Sequence, residues 1–153
     1  MVKRIKGDLI LKKDLFVEDD LIVSGDIFGK DNERYNLTVQ GSIEAKQIRV
    51  SLLNAIMINA NEIEAEKIIA DSINCKTLES WNIEAKHVDS FHVHSTKIDT
   101  YSLSAEQIHA DIVICEKFLP KNNNSQIISK IFFENRLTIP QRPWFSTQEV
   151  FTT

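Results

Sequence analysis

The sequence predicts an all-β fold, a parallel β-helix in which short strands coil around a stacked aliphatic core. Three observations carry that expectation. Bulky apolar residues recur at every fifth position from Ile43 to Phe118, through Ile48, Leu53, Ile58 and Ile63. A second series follows two residues behind and is mostly small: Ala45, Val50, Ala55, Ala60, Ala65, Ala70, Cys75, Ser80 and on to Pro120. Ahead of residue 43 the same pairing of series runs with a step of six. Self-similarity at a fixed period outranks local propensity in reading a chain.

A period of five excludes the simpler elements. An α-helix turns about 100° per residue, so a five-residue step rotates about 140° and leaves no apolar stripe. A flat strand alternates with period two, so successive Ile residues would face opposite sides. A turn in every pentad resolves both conflicts. Positions 1 and 3 then point inward, position 2 points outward, and positions 4 and 5 round a corner. The position-2 residues agree, being Glu44, Asn54, Asn59, Glu64, Asn74, Glu79, Glu84, Asp89 and Asp99. Four such sides close a coil of about 20 residues, giving a quadrilateral β-solenoid of about five to six coils stacked about 4.8 Å apart.

The expected solenoid covers residues 1–120, with 1–42 in hexads and 43–120 in pentads. The hexads begin at Leu9, Leu15, Leu21 and Leu37, with Leu11, Val17, Val23 and Val39 as their second inward residues. These are larger than their pentad counterparts, so this end is wider or differently shaped. Asp8, Asp14, Asp20 and Asp26 close successive hexads, where Asp caps a corner by accepting from nearby backbone N–H groups. A calcium ladder would need a Gly-rich nonapeptide that is absent. The ten-residue step from Ile27 to Leu37 throws out a loop, Gly29 to Asn36, that offers Lys30, Asp31, Glu33, Arg34 and Tyr35. Loops on rigid scaffolds often bind, which makes Arg34 and Tyr35 candidate contact residues.

The charge balance narrows the partners. Residues 1–120 carry 14 Lys+Arg against 20 Asp+Glu, a balance of −6, while 121–153 carry 4 against 2. This argues against non-specific nucleic-acid binding by the body. No stretch is long and apolar enough for a membrane span, and the apolar run in MVKRIKGDLILKKD is too broken for a signal peptide. A cytoplasmic location is expected. On a 20-residue coil Cys75 and Cys115 share one side two coils apart, beyond disulfide reach, and read as small hydrophobes.

No catalytic set emerges. His87, His92, His94 and His109 read as solvent-exposed surface residues, with no Cys or carboxylate completing a four-ligand site. There is no phosphate loop, nucleophile elbow or zincin motif, so no cofactor, no metal and no enzyme activity is expected. Outward aromatics are more suggestive. A 20-residue coil stacks Trp81 on Tyr101 in one ladder, with Phe91 on another edge, and an apolar outward line of that kind marks a contact surface.

The repeat stops at Pro120, which cannot donate to the ladder. Residues 121–153 read as a tail: a loop at Lys121 to Ser125, a β-rich stretch from Gln126 to Ile139, then Pro140, Pro143 and an aromatic end. A solenoid's last coil exposes unpaired backbone, which natural proteins cover. The tail is therefore expected to cap the solenoid or to swap onto another chain, with Phe132, Phe133 and Trp144 as contact candidates. The N-terminal end has no evident cap, which leaves end-to-end stacking open there.

The pentads IEAKQ, INANE, IEAEK, INCKT and IEAKH resemble pentapeptide-repeat proteins, which implies a right-handed β-helix over residues 43–120. In that family the small residue precedes the bulky one by two, whereas here it follows. The hexads in GDLILKKD, DLFVEDD and LIVSGDIFG resemble bactofilins, polymer-forming bacterial cytoskeletal proteins. Some pentapeptide-repeat proteins mimic DNA and bind topoisomerases, a role that interspersed Lys suits poorly. Together these readings imply a non-catalytic structural or scaffolding protein that self-associates through solenoid ends or tail. The alternative is a protein-binding module using Trp81 and Tyr101 or loop 29–36.

Overall fold

The computed structural model describes residues 2–134 and the backbone of Phe145–Ser146 and Val150–Thr152. Hexads and pentads both become sides of a parallel β-solenoid of about nine turns. In the hexad part, three residues of each six form a strand and three form a corner. These strands are β1 (Lys3–Ile5), β2 (Leu9–Leu11), β3 (Leu15–Val17), β4 (Leu21–Val23) and β5 (Ile27–Gly29). A 3-10 turn at Lys30–Asn32 starts the loop, with Asp31 and Asn32 left-handed at φ 56° and 61°, which Asp and Asn tolerate better than most residues. β6 (Leu37–Val39) and β7 (Ser42–Glu44) rejoin the wall. Pentad corners are tight enough that strand pairing runs almost unbroken around each coil, in β8 (Gln47–Asn59), β9 (Glu62–Asn74), β10 (Thr77–Asp89), β11 (His92–Ala105) and β12 (Gln107–Pro120).

Register decides the number of sides. Leu9 lies opposite Ile27, a step of 18, or three hexads. Ile48 lies opposite Ile63, a step of 15, or three pentads, and the step repeats through Leu78, Val93 and Ile108. The coil is therefore three-sided throughout. The expected four-sided coil is corrected, and the turn count rises accordingly. Spacing in sequence sets the length of a side, whereas the angle at each corner sets how many sides close. At each level three aliphatic side chains meet on the axis, and Ile48, Leu53 and Ile58 are each at most 1% exposed. A fourth side would draw them apart and leave a void that close-packed interiors avoid.

The two kinds of corner are held differently. At the wide hexad corners, Oδ1 of Asp8, Asp14 and Asp20 accepts from the backbone N–H of Asp26, Asn36 and Ser42 at 2.8, 2.9 and 2.8 Å. Each Asp thus ties its corner to the next coil. Gly25 and Gly41 lie beside these carboxylates, where an added Cβ would overlap Asp8 Oδ1 and Asp20 Oδ1 respectively. At the tight pentad corners the inward residue is mostly Ala, Cys or a satisfied hydroxyl. Ser90 Oγ lies 3.1 Å from the Lys76 carbonyl and 3.2 Å from that of His92. Thr100 Oγ1 repeats this against Lys86 and Ser102 at 3.1 and 3.2 Å. A buried hydroxyl so bonded avoids the cost of an unpaired polar group.

The start of the tail is a further coil. β13 (Gln126–Glu134) lies parallel on β12, from Gln107 opposite Gln126 to Cys115 opposite Glu134. β14 (Phe145–Ser146) and β15 (Val150–Thr152) lie parallel on β13. Over Gln126–Glu134 the segment expected to cap or swap pairs with β12 of its own chain as a further coil: Ile127 and Phe132 resume the five-residue step one residue out of the earlier phase and re-enter the core, both 0% exposed. Lys121 to Ser125 is the loop that takes up the four extra residues of this coil, whose step is 19 and not 15.

Replacing Ile83, fully buried, with Ala is expected to lower unfolding free energy by about 2–5 kcal/mol, read by denaturant titration. Gly41→Ala is expected to cost about 1–3 kcal/mol by overpacking. Combining it with Asp20→Ala removes the obstructing carboxylate, so the double variant should lose less than the sum of the two singles, a coupling that a double-mutant cycle measures.

Candidate functional site

The three-sided coil rearranges the outward residues. Trp81, Phe91 and Tyr101, ten residues apart in sequence, fall on three different edges of the prism. Trp81 is 69% exposed, and its coil neighbours are Glu66 and Thr96. Phe91 takes a backbone bond from Glu106 and donates one to Lys76, with Lys121 Nζ 4.9 Å from its ring centre. Tyr101 meets His87 edge-on at 6.2 Å and Lys117 Nζ at 5.9 Å. The expected Trp81–Tyr101 ladder is corrected, because it required a 20-residue coil.

The other candidates also settle. Arg34 reaches back from the loop to pair with Glu64, and Tyr35 packs partly buried against the core. Phe132 points into the core at 0% exposed and Phe133 outward, half-buried. Trp144 lies outside the described residues.

One side of the prism carries a groove of about 300 Å³, lined by Arg49, Glu62, Glu64 and Glu79 among others. It adjoins a second of about 260 Å³ lined by Glu79, His92, His94 and His109. His94 lies opposite His109, ring centres 5.5 Å apart. Their separation in sequence is the true coil step of 15, so the signal was present but was read against the wrong period. Among the described residues no three His, Cys, Asp or Glu side chains converge to hold a metal ion.

The most distinctive surface is the N-terminal coil. Among the described residues β1, β2 and β3 each pair on one side only, with β4, β5 and β6. Of their inward residues, Ile5, Leu9 and Leu15 are only partly buried and Lys3, opposite Leu21, is exposed, whereas one coil on Val23, Ile27 and Leu37 are at most 2% exposed. Their outward centres include Ile10 and Phe16, exposed at 48% and 56%, where middle coils place mostly Asn, Asp or Glu. Lys12 and Lys13 precede β3, and Glu18, Asp19 and Asp20 follow it.

The chain matches no protein-family model, no curated protein and no solved structure.

Cys75 and Cys115 are buried and free. They occupy different columns, Cys75 beside Ser90 and Cys115 beside Thr100, which corrects their expected shared side. Burial pushes the Cys75 thiol up to about 11, opposed by its bond with Ser90 and reinforced by the Asp89 charge. The nucleophile is the thiolate, so Cys75 should resist iodoacetamide at pH 8.5 in the folded protein and react once denaturant opens the coil. Mass spectrometry of the alkylated peptides checks this.

Proposed function

We propose that this protein is a non-catalytic scaffold that associates with further copies of itself through an open end of its solenoid. The observation that carries the reading is the N-terminal coil: three strands that among the described residues pair on one side only, an inward layer left partly uncovered, and apolar outward centres at Ile10 and Phe16. A flat, unpaired strand edge is a template for pairing with another chain, and a second coil would bury Ile5, Leu9 and Leu15 as Val23, Ile27 and Leu37 are buried now. The bactofilin-like hexads in this same coil support a polymer-forming role, and the two free, buried cysteines suit a cytoplasmic setting. Dispersal of Trp81, Phe91 and Tyr101 over three edges removes the combined surface that a separate aromatic binding site would have used.

Light scattering over a concentration series, with electron microscopy of the same sample, tests the reading. Mass should rise with concentration toward dimers or longer end-to-end particles. A monomer of unchanged mass across the series would remove it.

A further inference from the structure

We propose that the partner at this end is a second N-terminal coil, joined about a two-fold axis that passes through the middle of β3. The proposal rests on the end-association reading above and names its surface.

A two-fold axis perpendicular to a three-sided solenoid maps the coil onto itself only if it runs through one side and the opposite corner. Three choices exist, and charge separates them. An axis through β1 sets Arg4 of one copy against Arg4 of the other. An axis through β2 brings the corner Glu18-Asp19-Asp20 onto itself, six acidic groups together. An axis through β3 does neither. Strands pair antiparallel across such an axis, and Lys12-Lys13-Asp14-Leu15-Phe16-Val17-Glu18-Asp19-Asp20 is nearly self-complementary when run against its own reverse. Phe16 meets Phe16, Leu15 meets Val17, Lys13 meets Asp19 and Lys12 meets Asp20. Only Asp14 and Glu18 oppose like charge, and the Asp14 carboxylate already accepts from the Asn36 N–H.

Elsewhere in the coil the same axis lays β1 against β2 of the second copy, with Ile5 opposite Leu9, both inward and partly buried, and with Lys3, in the inward column of Leu21, opposite Leu11, so that its ammonium must reach past the strand edge to water. The opposite corner, Lys6-Gly7-Asp8, meets itself with Lys6 facing Asp8. Gly7 there is left-handed at φ 81° and has open space around it, so the corners can approach. Aromatic pairs and opposite charges across strands stabilise pairing, whereas like charges directly opposite oppose it. Complementary charge also fixes the register of an interface.

The test is a charge exchange followed by sedimentation velocity. Lys13→Glu and Asp19→Lys should each weaken self-association by about tenfold or more. An equimolar mixture of the two should associate with affinity near that of the unaltered protein, because each variant supplies the charge the other lacks. Rescue in the mixture also shows that both variants are folded. If the unaltered protein associates but neither variant weakens it, or the mixture stays apart, this geometry is wrong while end association stands. If the unaltered protein never associates, both readings fall.

Discussion

The in-register parallel ladder is the constraint on which the rest of the molecule depends. Ile48, Ile63, Leu78, Val93, Ile108 and Ile127 stand directly above one another, so every inward position repeats its environment coil after coil. The same register stacks outward residues, and there it carries a cost. Glu64 lies opposite Glu79, and like charges directly opposite are destabilising. Two arginines converge on Glu64: Arg49 from the preceding coil at 3.4 Å, and Arg34 from the loop. A loop whose composition suggests binding therefore acts first as a clamp on the wall. Lys86 with Asp71 and Lys130 with Asp111 set opposite charges on adjoining coils elsewhere. Each exposed pair is worth about 0–1 kcal/mol, so their effect is mainly to keep stacked like charges from accumulating.

The change of period shows what the ladder can absorb. Where hexads meet pentads, pairing thins to Ile27 on Ile48 and to Leu37 on Leu53 with Thr38 on Asn54. The three inward columns nevertheless continue: Leu9, Ile27 and Ile48; Leu15, Leu37 and Leu53; Leu21, Ile43 and Ile58. Side-chain stacking bridges the junction where backbone pairing is weakest. Corner chemistry changes with corner width. An Asp carboxylate reaches across the wide corner to a backbone N–H of the next coil, and needs glycine beside it at Gly25 and Gly41. A tight corner holds mostly Ala, Cys, Ser or Thr.

Much of this was legible in the residues. The two series at positions 1 and 3 correctly marked inward residues from Leu9 to Phe118, and the closing Asp residues at 8, 14 and 20 bond as corner caps. The number of sides was not legible, because a pentad looks the same in a triangle and in a square. That single angle displaced several site readings. It set Trp81 on Tyr101 and Cys75 in line with Cys115, and it concealed His94 on His109. The tail hides its coil for another reason. Pro120 and the polar loop after it look like the end of the repeat, whereas the five-residue step from Ile127 to Phe132, one residue out of the earlier phase, marks where the core resumes.

A solenoid has two problems of exposure, and this chain treats them differently. Along its walls the outward centres of the middle coils are mostly polar, so side-by-side contact gains little apolar burial. At the N-terminal coil the pattern inverts. Ile10 and Phe16 face outward, Ile5, Leu9 and Leu15 lack a full covering layer, and among the described residues three strands pair on one side only. Edge strands in natural proteins are commonly blunted by Lys, Pro or a bulge. Here Lys12 and Lys13 stand at one end of β3, but Glu18, Asp19 and Asp20 stand at the other. Charge of one sign would repel every approaching edge. Charge of opposite sign on either side of one strand repels parallel copies and admits an antiparallel one, so the residues that guard this edge against indiscriminate pairing also select a single partner orientation.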